Sequence, residues 1–449
     1  MPSPSVTTGP SRFRRWPQVA SPGAAAKATK TAVAAVVVLD LTLTVGGTAA
    51  AGTMATASRA VPVTPSPAPP ARSDLEAFYR VPDPLGSGPP GSIIRSEPIP
   101  LVAGLPARVT AYRILYHSES ITGTDIAVSG IVVVPGRPAP AGGYRIVTWA
   151  HGTTGLAGAC APSKAGTDAI PYLAQLLQDG YVVTATDYQG LGTDGISPYL
   201  VGQSEGQSVL DAARAARDLL GATASDEVLI FGHSQGGQAA LFAGQIAPSY
   251  APELFVVGVV AAAPVSDVSE FVPAVVGHAP DPLAVYTVSS LYAWSETYDD
   301  LSLTSALTTR AIVMMRSIDD ECITPLAAQF GHVAADQLFR PGWEDTTTVR
   351  AHEAQNEPGL APTSAPILVI QGTADTLIPY AGTTSLVDRR LCRAEDDVVQ
   401  YEAFRHAGHT NVLVAAQPDV LRWIQARLTG KGPPPDSCAT AGRSRSLAA

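Results

Sequence analysis

The chain has 449 residues, 46% of them apolar, which is enough for one large hydrophobic core or two ordinary domains. Its formal net charge at pH 7 is −10, with 39 acidic residues against 29 lysines and arginines. Because nucleic acids and anionic membranes attract basic surfaces, this balance argues against either of them as the main partner.

Residues 1–60 have the pattern of an export signal. Basic side chains precede an apolar run at 31–45, and small residues then offer cleavage after Ala57 or Ala60. A membrane anchor is the alternative interpretation, but Asp40 interrupts the run and leaves no uncharged span of about twenty residues. We therefore expect a secreted or cell-surface protein, exported by the general or the twin-arginine route.

The rest of the chain divides into a linker, one large domain and a tail. Residues 61–73 form a Pro/Ala-rich linker that is too poor in apolar residues to fold. We predict a single domain at 74–430 and a flexible tail at 431–449. Two apolar runs, at 107–118 and 125–135, predict an antiparallel pair of strands near the start of this domain.

Six further β-branched runs predict strands at the centre of a sheet, because most of them lack the alternation of a strand with one exposed face. Helical patterns lie between these runs, and two of the patterns end at Gly180 and Gly221. Strands that alternate with helices predict an α/β fold with a mostly parallel sheet. The six runs are at 144–152, 181–190, 226–234, 254–264, 365–375 and 398–404.

The interval 266–358 contains no strong strand pattern and is typical of helices with irregular links. Since the strand pattern resumes after it, we predict a helical cap inserted between two strands of the sheet. Apolar helical stretches in the cap, including Met314 and Met315, predict an acyl-binding surface beneath a lid that opens. Ordinary packing of the cap on the core is the alternative for any single residue there.

Ser234 lies in the pattern Gly-x-Ser-x-Gly, directly after a predicted strand and before a predicted helix. The flanking Gly232 and Gly236 allow backbone segments to approach closely at a sharp turn. Such a turn exposes the serine hydroxyl at the carboxyl edge of the sheet, where it can serve as a nucleophile. A purely structural serine is the alternative.

A serine nucleophile needs a base to take its proton and an acid to orient that base. On this kind of fold they follow in the order Ser, Asp or Glu, His. Asp375 follows a predicted buried strand, although a turn-forming aspartate would look similar. His406 and His409 both follow the last predicted strand, and we favour His409 as the base because Gly408 frees the turn before it.

The oxyanion of the tetrahedral intermediate needs two N–H donors. We predict the backbone N–H groups of Gln235, which follows the nucleophile, and of Thr153, which lies in the loop after an early strand. His151 precedes the serine in the chain, and we expect it to hydrogen-bond this loop rather than act as the base. His233 is expected to pack the serine turn.

The chain contains four cysteines, and none has the spacing of a metal site. An even number of cysteines in an exported protein predicts two disulfides, for which three connectivities exist. The four residues are Cys160, Cys322, Cys392 and Cys438.

Several longer motifs carry a family resemblance that covers about residues 74–428. They are DLEAFYRVP with GPPGSIIRSEPI, WAHGTTGLAGACAPS, TDYQGLGTDGISPYLVGQSEGQSVLDAARAA, GHSQGGQAA, and GTADTLIP with GHT. The chain resembles the secretory lipases, the α/β-hydrolase family of yeast-type lipase A and of exported actinobacterial lipases. One departure is LEAFYRVP, where the family pattern has Asp-Pro-Phe-Tyr.

The resemblance implies an α/β-hydrolase fold with a helical cap, and hydrolysis of triacylglycerols or other carboxylic esters without a cofactor. It places the catalytic positions at Ser234, Asp375 and His409. We expect a monomer that acts on a lipid or small ester, with transient contact with a lipid interface and no nucleic acid partner. Two alternatives remain: an exported aminopeptidase, for which no acidic anchor is evident, and a non-catalytic surface binding protein.

We also predict neither a metal nor an organic cofactor, because serine chemistry with a histidine base supplies both nucleophile and proton transfer. For the disulfides we predict Cys160–Cys322, between the oxyanion loop and the cap. We predict Cys392–Cys438 as the second pair, between the segment after Asp375 and the C-terminal tail.

Overall fold

The computed structural model of this chain describes residues 72–274 and 279–439. The export signal predicted at 1–60 lies outside the described residues, as do positions 61–71 of the predicted linker and 440–449 of the predicted tail. Within the described ranges, no helix combines the length and the apolar character needed to cross a membrane.

The described residues contain nine strands: β1 (Ile93–Pro98), β2 (Thr110–Glu119), β3 (Asp125–Val134), β4 (Tyr144–Ala150), β5 (Val182–Thr186), β6 (Ala224–His233), β7 (Phe255–Ala262), β8 (Ile367–Gly372) and β9 (Val399–Phe404). They form one sheet in the order β1-β2-β3-β5-β4-β6-β7-β8-β9. The pairs β1–β2, β2–β3 and β3–β5 are antiparallel, and the other five pairs are parallel. The predicted α/β fold with a mostly parallel sheet is therefore confirmed.

The helices are α1 (Arg72–Tyr79), α2 (Pro162–Ala165), α3 (Leu173–Asp179), α4 (Gly202–Leu220), α5 (Gln235–Tyr250), α6 (Val268–Phe271), α7 (Ala284–Thr297), α8 (Leu303–Ala306), α9 (Thr309–Met314), α10 (Ile323–Phe330), α11 (Ala335–Leu338), α12 (Thr347–Gln355), α13 (Tyr380–Ser385) and α14 (Asn411–Leu428). The first two residues of α1 fall within the predicted linker, so the ordered domain begins slightly earlier than expected. Helices α4 and α5 pack on one face of the sheet, and α3 and α14 pack on the other.

Both faces of the central strands are covered, which explains why the sequence shows no alternation there. All six residues of β8 are buried, and so are six of the seven residues of β4. A parallel sheet brings the carboxyl ends of these strands to one edge. The residues that follow β4, β6, β8 and β9 therefore meet at that edge.

The segment between β7 and β8 contains helices α6 to α12 and corresponds to the predicted cap at 266–358. It has its own apolar cluster around the fully buried Trp294. Residues of the main domain join this cluster, including Leu156 and Leu200 from the loops beneath the cap. The cap thus rests on the loops that surround the carboxyl edge of the sheet.

Both predicted disulfides are formed in the structure. Cys160–Cys322, with Cα atoms 5.4 Å apart, joins the loop after β4 to the start of α10 in the cap. Cys392–Cys438, with Cα atoms 5.2 Å apart, joins the segment after α13 to the chain beyond α14. The first disulfide closes a span of 162 residues and the second a span of 46.

We expect the replacement of Cys160 and Cys322 by alanine to lower the free energy of unfolding by about 2–4 kcal/mol, because the unfolded chain loses a long-range constraint. The same change at Cys392 and Cys438 is the matched control. The loss of Cys392–Cys438 should lower the free energy of unfolding by about 1 kcal/mol less, because this disulfide closes a shorter loop and its loop-closure entropy is smaller. Chemical denaturation of both double variants measures the difference. Equal losses, or a larger loss for the shorter loop, would contradict the entropic account.

Candidate active site

The chain turns sharply at Ser234, between the end of β6 and the start of α5. Ser234 has φ +60° and ψ −122°, a strained backbone conformation for a residue with a side chain. A Cβ on Gly232 would lie 1.8 Å from the Gly236 carbonyl oxygen, and one on Gly236 would lie 1.9 Å from the Ala150 carbonyl oxygen. Both glycines are therefore needed to bring the serine to this position.

A chain of two hydrogen bonds links Ser234 to a histidine and a carboxylate. The distance from His409 Nε2 to Ser234 Oγ is 2.8 Å, and that from His409 Nδ1 to Asp375 Oδ2 is also 2.8 Å. Asp375 follows β8 and His409 follows β9, so the parallel sheet brings all three residues together. The geometry is that of a serine nucleophile with its base and orienting acid.

The carboxylate of Asp375 is held by three further donors. Its Oδ1 accepts the backbone N–H groups of Leu377 (2.9 Å) and Ile378 (2.8 Å). Its Oδ2 accepts Gln371 Nε2 at 3.0 Å as well as the imidazole. These donors fix the orientation of the Asp375 carboxyl group, which in turn orients the His409 imidazole.

The structure places His409 at hydrogen-bond distance from Ser234, whereas His406 is not part of this hydrogen-bonded chain. His406 is exposed, has φ +61°, and donates its backbone N–H to Thr373 Oγ1 at 3.0 Å. It serves the turn after β9 and does not approach the nucleophile. The two histidines that the sequence offered as the base are thus distinguished by position.

His233 lies within the serine turn and contacts His409, a contact that the sequence did not predict. Its Nε2–H donates to the His409 carbonyl at 2.9 Å, and the two rings lie 4.7 Å apart. Burial, together with the neighbouring imidazole of His409, lowers the pKa of His233 to about 4. His233 therefore stays neutral at pH 7 and adds no charge beside the catalytic base.

The loop after β4 lies against the nucleophile. A Cβ on Gly152 would be 3.5 Å from Ser234 Cβ, which places the backbone of this loop beside the serine. Thr153 follows, and its Oγ1 shares a hydrogen bond of 2.9 Å with the hydroxyl of Tyr199. Gln235 begins α5 on the other side of the serine. The residues predicted as oxyanion donors thus flank Ser234, and their catalytic role remains a prediction.

His151 hydrogen-bonds its own loop, as expected. Its Nδ1–H donates to the Gly152 carbonyl at 2.6 Å, and its own carbonyl accepts the hydroxyl of Tyr188 at 2.9 Å. Burial lowers the pKa of His151. A neutral, buried imidazole here shapes the loop and lies apart from the proton transfer between Ser234 and His409.

Sequence reasoning missed two buried acids around this site. Asp187 follows β5 and accepts Ser129 Oγ (2.6 Å) and the backbone N–H of Ser163 (2.8 Å), and burial raises its pKa. Glu205 lies in the first turn of α4 and accepts the side chain of Gln235 at 2.7 Å. Both lie in the motif 186–216 that carries much of the family resemblance, but the motif does not reveal their partners.

An open cavity of about 500 Å³ leads to Ser234 and His409. Of the cap residues that the structure describes, only Tyr286 lines it, and Met314 and Met315 do not. Met315 is instead buried in the cap cluster, so ordinary packing holds for this residue. The other lining residues are Trp149, His151, Gly152, Thr153, Thr154, Pro162, Asp168, Ala169, Pro171, His233, Leu377, Thr410 and Leu413.

The strand order, the serine turn and the hydrogen-bonded Ser–His–Asp arrangement define an α/β-hydrolase with the site of a serine hydrolase. A family model described as secretory lipase matches residues 163–435, more than half of the chain. The chain belongs to the secretory lipase family. The matched residues include Ser234, Asp375 and His409, whereas Thr153 precedes them.

Relatives from fungi and bacteria match most of the chain. A secreted triacylglycerol lipase of Malassezia globosa is 25% identical in an alignment of 382 positions that covers 79% of this chain and 79% of that protein. A protein of Mycobacterium tuberculosis named a probable inactive lipase is also 25% identical, over 79% of this chain and 82% of that protein. Membership of the family therefore leaves activity to be argued from the site itself.

Two solved structures show the same fold. Candida antarctica lipase A in its closed state has a TM-score of 0.70 at 18% identity, with 80% of this chain and 87% of that chain covered. The rice cell wall degrading esterase LipA from Xanthomonas oryzae has a TM-score of 0.65 at 18% identity, with 77% and 100% covered. At such identities the likeness extends to the fold alone.

Proposed function

We propose that this protein is a secreted serine hydrolase that cleaves carboxylic esters of medium and long acyl chains, triacylglycerols among them. The observation that carries the proposal is the hydrogen-bonded chain from Ser234 through His409 to Asp375 at an open cavity. Membership of the secretory lipase family supports the same conclusion.

In the proposed reaction, Ser234 Oγ attacks the ester carbonyl while His409 Nε2 takes its proton. The Ser234 ester forms as the bond to the alcohol breaks, and His409 returns the proton to the leaving alkoxide. His409 then deprotonates a water that releases the acid and restores the serine. Asp375 holds the imidazole in one tautomer, and the N–H groups of Gln235 and Thr153 stabilise the oxyanion. No metal or organic cofactor enters these steps.

The apolar part of the cavity wall supports acyl chains as the substrate. Trp149, Pro171, Tyr286, Leu377 and Leu413 face the space next to the serine. Each CH₂ removed from water contributes about 0.8 kcal/mol, which corresponds to roughly fourfold in catalytic efficiency when the gain is realised in the transition state. An acetyl group would leave most of this surface unused.

We expect kcat/KM for p-nitrophenyl octanoate to exceed that for butyrate by about tenfold or more, with palmitate also accepted. The same protein should release fatty acid from an emulsified triacylglycerol. The measurement is a kinetic series of acetate, butyrate, octanoate and palmitate esters, followed by titration of the emulsion. Preference for acetate together with inactivity on the emulsion would make this a small-ester esterase.

One observation favours a second candidate, an aminopeptidase. The sequence offered no acidic anchor for a substrate amino group, but Asp168 lies exposed on the cavity wall. A comparison of choline butyrate with its neutral isostere 3,3-dimethylbutyl butyrate, in wild type and Asp168→Asn, isolates the effect of this charge. Cleavage of amino-acid p-nitroanilides that is lost in Asp168→Asn, combined with weak ester hydrolysis, would favour the aminopeptidase.

Secretion is part of the proposal, supported by the family and by the N-terminal pattern of the sequence. The mature chain in the culture medium should begin directly after residue 57 or 60. N-terminal sequencing of the secreted protein decides this point. An uncleaved protein that stays with the membrane fraction would favour the anchor instead. A monomer with transient contact at a lipid interface completes the proposal.

A further inference from the structure

We propose that Glu205, in its neutral form, is a positioning residue that holds both sides of the oxyanion site in place. The inference rests on the proposed function, because it assigns Gln235 and Thr153 as the residues that flank the oxyanion. Glu205 lies in the first turn of α4 and is only 2% exposed. It lies behind the serine turn and has no place in the proton transfers described above.

A single oxygen of Glu205 reaches toward both sides of the site. Its Oε1 accepts Gln235 Nε2 at 2.7 Å and the backbone N–H of Leu200 at 2.9 Å. The first bond fixes the side chain of the residue that follows Ser234. The second fixes Leu200, which has φ +55° and directly follows Tyr199. The Tyr199 hydroxyl in turn shares its hydrogen bond with Thr153 Oγ1.

The surroundings of Glu205 favour a neutral carboxyl group. Its Oε2 is buried and has no hydrogen-bond partner among residues 72–274 and 279–439. Among the residues that the structure describes, the titratable groups that face it are three tyrosine hydroxyls, from Tyr188 after β5, Tyr199 before α4 and Tyr298 in the cap. Burial raises the pKa of Glu205 to about 8, against the opposing effect of its hydrogen bonds to Gln235 and Leu200.

The neutral form matters because of the charge that develops next to Gln235. An ionised carboxylate behind the oxyanion site would repel the negative charge of the tetrahedral intermediate in a medium that screens it poorly. The neutral acid keeps both acceptor bonds without this repulsion. Glu205 would therefore position the two donors below its pKa and oppose catalysis above it.

The first test compares Glu205→Leu with Glu205→Gln. Leucine is similar in size to glutamate but has no hydrogen-bond acceptor for Gln235 and Leu200. We therefore expect kcat to fall about 10- to 100-fold while KM changes less than twofold. Glutamine keeps the Oε1 acceptor and stays neutral at every pH, so it should restore most of this loss. Wild-type kcat should also show a decrease of about tenfold centred near pH 8 that Glu205→Gln lacks.

Stability provides a readout that does not depend on catalysis. A carboxyl group whose pKa is raised in the folded state keeps its proton while the unfolded chain loses it. The contribution of Glu205 to wild-type stability is therefore greatest below about pH 4 and decreases as the pH rises toward 8. Glu205→Gln has no such decrease. The difference in Tm between Glu205→Gln and wild type should widen by about 5 °C or more between pH 5 and pH 8.

Glu253→Gln is the matched control. Glu253 is exposed and forms an ion pair with Arg214, and this ion pair lowers the pKa of Glu253. The difference in Tm between Glu253→Gln and wild type should change with pH in the opposite sense or not at all.

A pH-independent difference in Tm between Glu205→Gln and wild type would overturn the neutral form of Glu205. A kcat for Glu205→Leu equal to that of wild type would overturn the positioning role. Failure of wild type to hydrolyse any ester would refute the proposed function, and the melting series would still test the neutral carboxyl group.

Discussion

Replacement of Ser234 by alanine is expected to lower kcat by about 10⁵- to 10⁶-fold while the fold is retained. The hydroxyl is the only atom group removed, and without it the Ser234 ester cannot form. His409→Ala should cause a loss of similar size, because an unassisted hydroxyl is a weak nucleophile. The double variant should be no slower than either single one, since the residues act as a unit. Steady-state kinetics on p-nitrophenyl octanoate, with circular dichroism as a check of folding, measures all three.

His406→Ala is the control for the base. This histidine lies three positions from His409, is exposed, and contributes only a backbone N–H to its turn. We expect a kcat within about twofold of wild type, as for other surface substitutions. If His406→Ala is inactive and His409→Ala is near normal, the assignment of the base is wrong.

Replacement of Asp375 by asparagine is expected to lower kcat by about 10⁴-fold with little change in KM. In the structure, His409 Nδ1–H donates to Asp375 Oδ2, so Nε2 is free to take the proton of the serine. An amide can donate to Nδ1 and favour the other tautomer, which places a hydrogen on Nε2 and blocks it as a base. It also removes the negative charge that stabilises the imidazolium.

Asp419→Asn, the same chemical change at an ion pair on the exposed side of α14, is the matched control. Its kcat should stay within about twofold of wild type. The comparison uses the same octanoate ester at several pH values. If Asp375→Asn retained kcat within tenfold of wild type across that range, Asp375 would not be the orienting acid, whatever its distance from His409.

The central sheet could be predicted because its strands are covered on both faces and therefore appear as continuous apolar runs. β1 could not be predicted in this way. Its sequence IIRSEP has only two large apolar residues and ends in proline, and the strand pairs with β2 alone at the edge of the sheet. Residues 93–98 form a strand because they pair with β2, and this pairing cannot be recognised from the sequence of β1 alone.

The candidate triad could be located in the sequence because each member directly follows a strand. Parallel strands place their carboxyl ends at one edge, so Ser234, Asp375 and His409 had to be neighbours if the strands were correct. The choice of His409 over His406 depended on Gly408 and on the family resemblance. In the structure His406 is exposed, has a left-handed backbone, and donates its backbone N–H to Thr373 Oγ1.

The lining of the cavity could not be read from the sequence. Helical periodicity shows that a stretch has an apolar face, but it does not show what that face touches. Met315 lies in such a stretch and packs within the cap, whereas Tyr286 of α7 reaches the cavity. Glu205 was missed for a related reason: Gln235 is its partner only after α4 and α5 have packed together.

The most direct test of the account is to trap its intermediate. Wild-type protein mixed with p-nitrophenyl octanoate and quenched in acid should carry one octanoyl group on the peptide that contains Ser234, as detected by mass spectrometry. Ser234→Ala should carry none under the same conditions. Rapid turnover by wild type with no acyl group on Ser234, or with the group on another residue, would contradict the mechanism.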